Sequence, residues 1–355
     1  MVKVISLFNN KGGVSKTTTT YNLGWKLASQ GFRTLLVDAD PQANLTSLTL
    51  SLPDEDAFEE LYNRKDSNDI YSLTLHQKNP AGMLIDSSMP VSKIVQTKKE
   101  NLFILPGHLN IESFSTQITL ALELGASSQF EVFRNIPGYL NYALRRIADI
   151  HKLDYILVDM APSLGSLNEV LLMGSDFFLT PCKPDFFSEI ALKNLAKVIP
   201  DWHKQVKDFK TDYPLPCAPL FLGVIQQNYR PRRTSENDDR NRPTQSFQKW
   251  VDRVRSAANE VLIPKLEKLH LVVSRQKFTD VITDSMPYDI AYISDFNSLI
   301  AASQMRNKPI FELDDADIKA CTNVFGGALA TQKDGVQKFN ETFEKLARSI
   351  IGLTS

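Results

Sequence analysis

Short apolar runs alternate along the chain with longer segments whose apolar residues recur at helical spacing. The apolar runs occupy residues 4–8, 34–37, 101–105, 154–159, 176–181, 220–225, 271–273 and 290–293. Strands without a polar face are typical of a parallel sheet that is covered on both sides. Helical patterns lie between the runs, for example over 18–29, 111–124, 130–151 and 188–199. The alternation predicts an α/β fold in three layers, a mainly parallel twisted sheet with helices on both faces.

Two parts of the chain depart from this alternation. Residues 47–100 are polar with scattered apolar positions, and we expect a less regular, insert-like segment there. Near the end, apolar residues recur at intervals of 3 or 4 and predict an amphipathic helix over 336–351. The length of 355 residues allows one large domain or two small ones, and we expect a single domain over 1–355.

Composition narrows the possible environments and partners. The formal net charge is −1, so no overall field selects nucleic acid or membrane, and such binding would need a local patch. The three cysteines, Cys182, Cys217 and Cys321, form no C-x-x-C pair, which fits a reducing cytoplasm and argues against a structural zinc site. The chain starts directly with a predicted strand, so we expect no signal peptide. No apolar run approaches the ~18 residues that cross a bilayer.

The first predicted strand leads into a loop with the composition of a phosphate-binding site. Residues 9–15 read NNKGGVS, and Lys16 and Thr17 then open a helix. The first turn of a helix has unpaired N–H groups and the positive end of the helix dipole, so it favours an anion. Glycines let the backbone approach phosphate oxygens. This arrangement predicts that Lys16 reaches the β- and γ-phosphates of a nucleotide and that Thr17 offers its hydroxyl to Mg²⁺.

Carboxylates follow two of the other predicted strands. Asp38 and Asp40 lie at the end of the second strand, and Asp159 ends the fourth. Ligands of a parallel sheet bind beyond the carboxyl ends of the strands, so these side chains should emerge beside the phosphate loop. We expect Asp159 to hold Mg²⁺ through water, opposite Thr17. Asp38 would support the metal and Asp40 would position the attacking water, with a polar turn at a strand end as the alternative for both.

The loop does not have the spacing of the standard P-loop. That pattern needs glycine at positions 10 and 15, where the chain has Asn10 and Ser15. The pattern K-G-G-x-x-K-T at 11–17 instead resembles the deviant Walker A box of the ParA/MinD family of P-loop ATPases, whose usual member has glycine in place of Ser15. If residue 15 adopts a left-handed φ, serine costs roughly 1–2 kcal/mol relative to glycine, and the rate of hydrolysis is left open.

Two further segments extend the resemblance. The segment DADPQ at 38–42 resembles the first switch of the family, and DMAPSLG at 159–165 resembles the second, with Ala161 where the family has a proline. The resemblance implies that Pro162 and Gly165 belong to the part that senses hydrolysis. A backbone N–H at Gly165 would then lie near the γ-phosphate.

The resemblance runs from residue 2 to about residue 311 and implies an ATP–Mg²⁺ site and a homodimer with ATP. In this family the extra lysine, here Lys11, reaches across a dimer interface to the partner's nucleotide and would act with Lys16 and Asp40 in catalysis. The nucleotide-binding loop would comprise Lys11, Gly12, Gly13, Val14, Ser15, Lys16, Thr17 and Thr18. The family also implies an adenine contact from Asn228, for which an Asx turn is the alternative. The turn at Ser294 and Asp295 would close over the base.

The family's biology implies partners beyond the nucleotide. ParA proteins bind non-specific DNA through the C-terminal half when they dimerise with ATP, and a ParB-like protein stimulates their slow hydrolysis. We expect such a cycle to partition or position a plasmid or chromosome at the nucleoid. The basic loop 229–243 and the helix that follows it are the candidate DNA surface, with a solvated charged face as the alternative. Its candidate residues are Arg230, Arg232, Arg233, Lys249 and Arg253.

Three other functions on the same scaffold remain open. The first is an ATP switch that controls a protein complex without DNA, as in cargo positioning or phage defence. The second is a MinD-like membrane switch, but the terminal helix lacks the basic excess of a membrane-surface helix, so we expect it to pack against the core and expect no membrane partner. The third is a reductase or metal carrier like the nitrogenase iron protein, which would need a cysteine pair at a dimer axis.

Overall fold

The computed structural model describes residues 1–52, 54–63, 69–75, 94–124, 133–207, 213, 215–231, 243–322 and 326–355. Its strands are β1 Lys3–Leu7, β2 Thr34–Ala39, β3 Val95–Gln96, β4 Leu102–Leu105, β5 Tyr155–Met160, β6 Phe177–Cys182, β7 Leu220–Tyr229 and β8 Asp289–Ser294. Within the described residues they form one sheet in the order β3-β4-β2-β5-β1-β6-β7-β8. Neighbouring strands are parallel, except that β3 is antiparallel to β4.

Helices cover both faces of this sheet, which confirms the expected three-layer α/β fold. They are α1 Lys16–Ser29, α2 Asn44–Leu50, α3 Glu55–Asn63, α4 Ile70–Leu75, α5 Ile111–Leu124, α6 Ile136–His151, α7 Ser166–Gly174, α8 Phe186–Lys207, α9 Gln245–Ser256, α10 Ile263–Glu267, α11 Arg275–Val281, α12 Ser298–Arg306, α13 Asp315–Thr322 and α14 Gly326–Thr354. A π-helical segment, Ala257–Leu262, joins α9 to α10, and a 3₁₀ turn, Ile310–Glu312, follows α12.

The central strands explain why the sequence shows no alternation there. Leu35, Leu36 and Val37 are consecutive in β2, and each is 0% exposed. Consecutive side chains of a strand point to opposite faces, so burial of all three requires cover on both sides. The helices on the two faces provide it.

Several element boundaries differ from the expected ones. Helix α8 continues through Pro200 to Lys207 instead of ending at 199, because its apolar face stays buried as far as Val206 and this packing outweighs the hydrogen bond that proline removes. Strand β7 extends four residues past 225, to Tyr229. The run at 271–273 contributes only an isolated bridge from Val272 to β7.

Two expected segments are described only in part. Where residues 47–100 are described, they contain the end of α2 together with α3, α4 and β3. Of the basic loop 229–243, residues 232–242 lie outside the described residues, and an antiparallel bridge joins Pro231 to Pro243.

The last helix packs on the protein core. Helix α14 is longer than the expected 336–351, and its residues Phe339, Phe343, Leu346 and Ile350 are at most 5% exposed. Its polar face meets α1, where the Lys26 amine donates to the Asn340 side chain. The apolar stripe is therefore buried within the protein, as expected for packing against the core. Among the helices of the described ranges, none has the length and apolar character needed to cross a bilayer.

Candidate active site

The candidate site lies where three neighbouring strands end. Strand β5 lies between β1 and β2, with Asp159 in register with Leu7 on one side and with Asp38 on the other. The loop 9–15 begins directly after β1. Because the strands are parallel, this register brings the loop and both carboxylates to the same edge of the sheet, as the sequence predicts.

The phosphate loop is held in shape by its own polar atoms. The buried Asn9 amide donates to the Pro181 carbonyl (2.8 Å), and its Oδ1 accepts the Lys11 N–H (2.9 Å). Gly13 has a φ of 70° and Ser15 a φ of 58°, so both are left-handed. Ser15 therefore carries the backbone cost expected for a residue that replaces glycine, roughly 1–2 kcal/mol.

Lys16 folds back into the loop. Its side chain is buried, and its Nζ donates to the carbonyl oxygens of Asn9 (3.2 Å) and Lys11 (3.3 Å). Burial lowers the pKa of the Lys16 amine, while the negative charges of Asp159 and Asp40 oppose that shift. A buried cation at a helix start, whose hydrogen bonds within the described residues go to carbonyls alone, is complementary to a bound phosphate.

Asp159 is a buried charged group of the site whose carboxylate oxygens have no hydrogen-bond partner among the described residues. It is 1% exposed, and neither carboxylate oxygen accepts a hydrogen bond of normal geometry within the described chain. Burial and the neighbouring Asp38 charge raise its pKa, and the nearby Thr17 hydroxyl partly counteracts this. A buried carboxylate without partners, beside a hydroxyl at a helix start, fits Mg²⁺, which is usually held by one or two protein oxygens together with water and phosphates.

Asp38 holds protein groups. Its Oδ2 accepts the Thr46 N–H (2.7 Å) and the Thr46 hydroxyl (2.7 Å), and its Oδ1 accepts the Asp40 N–H (3.3 Å). Complete burial raises the pKa of Asp38 to about 7, against the effect of the Thr46 hydrogen bonds. The Thr46 hydroxyl also accepts the Gly107 N–H (2.8 Å), so this carboxylate ties α2 and the end of β4 to β2. Asp38 thereby stabilises the strand ends next to Asp159, with which it is in register.

Asp40 lies at the open side of the same strand end. It is half-buried, and its Oδ1 accepts the Gln42 N–H (3.0 Å), while its carbonyl accepts the Ala43 N–H (2.9 Å). A polar turn is thus present, and it orients a carboxylate beside the phosphate loop.

Lys11 binds within its own chain. Its Nζ donates to Asp185 Oδ1 (2.6 Å) and to the Ser188 hydroxyl (3.3 Å) and lies 5.8 Å from the Phe187 ring. Burial alone would raise the pKa of Asp185, but hydrogen bonds from Lys11 and Ser188 outweigh it and hold that pKa below its ordinary value. The side chain expected to cross a dimer interface is therefore engaged at the start of α8 in the single chain.

Sequence reasoning missed Asp185 as a site residue. The signal was present, because Asp185 precedes α8 and its Oδ1 accepts the Ser188 N–H (2.9 Å), which is the pattern of an N-cap. An N-cap residue is usually interpreted as structural, and nothing in the sequence indicates that the same carboxylate also binds Lys11.

The expected base-pocket residues lie together at the ends of β7 and β8. Tyr229 is in register with Ser294, and its carbonyl accepts the Asp295 N–H (2.9 Å). Asn228 has a φ of 56°, and its Nδ2 donates to the Ser15 hydroxyl (2.9 Å). This corner of the sheet therefore contacts the phosphate loop directly.

The second switch segment borders the loop. A Cβ on Gly12 would lie 3.9 Å from the Pro162 ring. Asn168 Nδ2 donates to the carbonyls of Ala161 (2.9 Å) and Ser163 (2.9 Å), which fixes the segment to α7. Gly165 precedes α7 with a φ of −78°, so its backbone does not require glycine.

The candidate DNA residues differ in whether their positive charge is paired within the chain. Arg253 donates to Glu189 (2.7 Å) and lies over the Trp250 ring (4.5 Å), so part of its charge is neutralised within the chain. Arg230 and Lys249 are exposed. The remaining two candidates, Arg232 and Arg233, lie outside the described residues.

Comparison with known proteins decides the family. A family model described as an AAA domain matches residues 2–211. The sporulation initiation inhibitor protein Soj of Bacillus subtilis is 30% identical over 214 residues, which are 60% of this chain and 69% of Soj. The chain belongs to the ParA/MinD family of P-loop ATPases.

Two further proteins are similar over comparable spans. The chromosome partitioning protein ParA of Caulobacter vibrioides is 29% identical over 198 residues, 56% of this chain and 62% of that protein. An uncharacterised protein of Methanocaldococcus jannaschii is 30% identical over 52% of this chain and 60% of its own length. The chain thus spans between 60% and 69% of the length of these curated relatives.

Solved structures share the family fold. Protein DIP2308 from Corynebacterium diphtheriae has a TM-score of 0.59 at 24% identity and covers 86% of this chain and 97% of its own. An ATP complex of a McdA variant from Cyanothece has a TM-score of 0.57 at 16% identity, covering 95% and 96%. The pNOB8 ParA bound to nonspecific DNA has a TM-score of 0.52 at 18% identity, covering 100% and 99%. At these identities the likeness shows the fold alone.

The unsatisfied carboxylate predicts a stability cost that depends on pH. The folded-state pKa values of Asp38 and Asp159 lie above the ordinary value of about 4, so between about pH 4 and 8 these two carboxylates bind more protons in the folded protein than in the unfolded chain. Their contribution to the free energy of unfolding should therefore fall as pH rises from 6 to 8.5, without Mg²⁺ or nucleotide. Asp159→Asn should stabilise that form by roughly 1–3 kcal/mol at pH 8 and flatten the pH dependence. Urea unfolding measures both.

The control for this prediction is the exposed Asp149→Asn on α6, which should change stability by no more than about 0.5 kcal/mol. In the presence of ADP, the wild-type melting temperature should rise on adding Mg²⁺, and Asp159→Asn should lose that increment. A nucleotide-free Asp159→Asn protein that is less stable than wild type at pH 8 would contradict the assignment of Asp159 as an unsatisfied ligand.

Proposed function

We propose that residues 1–355 act as one ParA-type ATPase unit that binds ATP with Mg²⁺, dimerises around it, binds non-specific DNA and hydrolyses ATP slowly to partition or position a plasmid or chromosome. This proposal rests mainly on two buried charged groups at this edge of the sheet, the Lys16 amine and the Asp159 carboxylate. Within the described residues, the Lys16 amine donates hydrogen bonds to loop carbonyls alone, and neither carboxylate oxygen of Asp159 accepts a hydrogen bond. Opposite charges held ready in this way support a site for a triphosphate and its cation.

The chain's own residues divide the work in this proposal. Backbone N–H groups of the loop 11–18 and the Lys16 amine bind the phosphates, and Thr17 with Asp159 holds Mg²⁺. When bound, the cation neutralises charge on the phosphate oxygens. Asp40 orients the attacking water as a base at the open side of β2. Ser15 keeps a strained backbone in this loop, which supports slow turnover.

Lys11 must change partners for a dimer to form as proposed. Its amine would leave Asp185 and Ser188 and neutralise the partner subunit's nucleotide. The exchange is feasible because the side chains of Lys11 and Asp185 are 19% and 31% exposed, and ion pairs with water access contribute only roughly 0–1 kcal/mol. Phe187 is 66% exposed and its ring lies 5.8 Å from the Lys11 amine, so a second copy on this face would bury it.

The dimer prediction compares two variants of the same ion pair. Lys11→Ala should still bind ATP but remain monomeric with a slowly hydrolysed ATP analogue. Asp185→Asn retains a good N-cap residue but weakens the hold on Lys11, so it should dimerise at a roughly 2- to 5-fold lower analogue concentration. Analytical ultracentrifugation measures both.

Lys193→Ala is the matched control for the dimer prediction. It removes another lysine paired on α8, with Glu189 at 2.6 Å, and should leave the dimer unchanged. Dimerisation of Lys11→Ala with the analogue would refute the cross-subunit role of Lys11.

The hydrolysis prediction separates binding from turnover. Lys16→Ala should abolish nucleotide binding, because it removes the buried cation of the loop. Asp40→Ala should bind ATP and persist as a dimer, with turnover reduced at least about 100-fold through loss of the base. Phosphate release and nucleotide binding are measured in parallel, with exposed Asp149→Ala as the control. Wild-type turnover in Asp40→Ala would remove Asp40 from the mechanism.

The DNA prediction uses salt dependence. With ATP and low salt, wild type should bind duplexes of unrelated sequence, and the logarithm of the affinity should fall linearly with that of salt concentration. Replacing Arg230 and Lys249 together by alanine should lower that slope by roughly 2, whereas Arg253→Ala should have less effect because Glu189 already neutralises part of its charge. Fluorescence anisotropy measures the slopes, with Lys338→Ala on α14 as the control.

One observation favours a second candidate function. The Arg253–Glu189 pair makes the basic surface smaller than the sequence suggests. If the ATP-bound wild type does not bind duplex DNA at low salt, the chain is better described as an ATP switch that controls a protein complex. A membrane switch has no such support, because the apolar stripe of α14 is buried.

A further inference from the structure

We infer that Ser15 and Asn228 form a positioning pair that holds the phosphate loop in its triphosphate-binding conformation before the ligand arrives. The inference rests on the proposed nucleotide-binding function. Asn228 Nδ2 donates to Ser15 Oγ at 2.9 Å, and Ser15 Oγ lies 3.3 Å from Asn228 Oδ1. The pair joins residues 213 positions apart in the chain, so it is a tertiary contact between the loop and the end of β7.

The left-handed backbone of Ser15 explains why this hydrogen bond would be needed. Its φ of 58° is unfavourable for any residue with a Cβ, so a loop with serine here would tend to relax out of shape. Relaxation would move the N–H groups on either side of residue 15, which are those that face a bound phosphate. The hydrogen bond to Asn228 opposes the relaxation. A glycine at this position would not need such an anchor, so the pair is specific to a chain that carries serine.

The position of Asn228 is fixed by its two neighbours in β7, Gln227 and Tyr229, which both pair with β8. It lies in the left-handed region at a φ of 56°, where the pairing of β7 with β8 shifts register. Tyr229 next to it is 0% exposed. The next bond between α1 and β7, from the Thr19 hydroxyl to Gln227 Oε1 at 3.0 Å, lies one turn beyond the loop and holds the helix rather than residue 15. Through Asn228, the loop therefore takes its position from the strand.

The inference makes a claim that an adenine contact alone does not make. If Asn228 acts on the phosphate loop through Ser15, it must affect ligands that have no base. Inorganic tripolyphosphate with Mg²⁺ is such a probe, because it occupies the phosphate site and offers Asn228 nothing to recognise.

The test is a double-mutant cycle that measures the affinity for Mg²⁺–tripolyphosphate by calorimetry. Ser15→Ala and Asn228→Ala should each lower that affinity by about 3- to 10-fold, as expected for loss of one partly buried hydrogen bond. The double variant should be no weaker than the weaker single variant, because both changes break the same bond. Ser15→Gly should lose less than Ser15→Ala, since glycine removes the backbone strain together with the bond.

Thr19→Val is the matched control. It breaks the neighbouring bond between α1 and β7 and should leave tripolyphosphate affinity unchanged, although it lowers thermal stability. Three results would overturn the inference: Asn228→Ala binding tripolyphosphate like wild type, additive losses in the double variant, or an equal loss in Thr19→Val. If wild type binds neither tripolyphosphate nor ATP, the proposed function itself fails, which is a distinguishable outcome.

Discussion

The site depends on one electrostatic constraint, the burial of charged groups whose mutual attraction only partly offsets their loss of water. Lys16 at the start of α1 and Asp159 near the end of β5 interact electrostatically, and both are almost completely removed from water. In both groups burial is the largest cause of the pKa shift, and the charge of the other group only opposes it. A triphosphate and a divalent cation would each add a favourable charge interaction here, so their binding would stabilise this region.

The sheet serves this constraint by its register. Parallel pairing of β2, β5 and β1 places Asp38 and Asp159 side by side and starts the phosphate loop next to them. Asp38 then connects two further elements, because Thr46 of α2 and Gly107 after β4 share its hydrogen-bond network. A movement of Asp38 would therefore also displace α2 and the end of β4, because hydrogen bonds connect these elements to its carboxylate.

The sequence was sufficient for the fold and for the placement of the phosphate loop, Asp38 and Asp159 at one edge of the sheet, for identifiable reasons. Strand ends are marked by an abrupt change from apolar runs to Asp38 and Asp159, and a lysine at a helix start after glycines has few other uses. Partnerships between distant surface residues were not predictable. Lys11 with Asp185 and Arg253 with Glu189 depend on the path of α8 and α9, and a lysine or arginine carries no local signal of which carboxylate it will meet. The predicted end of α8 at residue 199 was also wrong. The helix continues through Pro200 because the packing of its apolar face outweighs the local tendency of proline to interrupt a helix.

The packing of α14 on α1 has a consequence for how the protein is made. Helix α1 carries Lys16 at its start, and its far end is covered by residues 314 positions later, since Lys26 meets Asn340 and Gln30 meets Glu344. During translation, α1 leaves the ribosome long before its cover exists, and contacts of such sequence separation close slowly. In a nascent chain, the side of α1 that α14 covers must therefore remain exposed until the stretch around residue 344 has emerged.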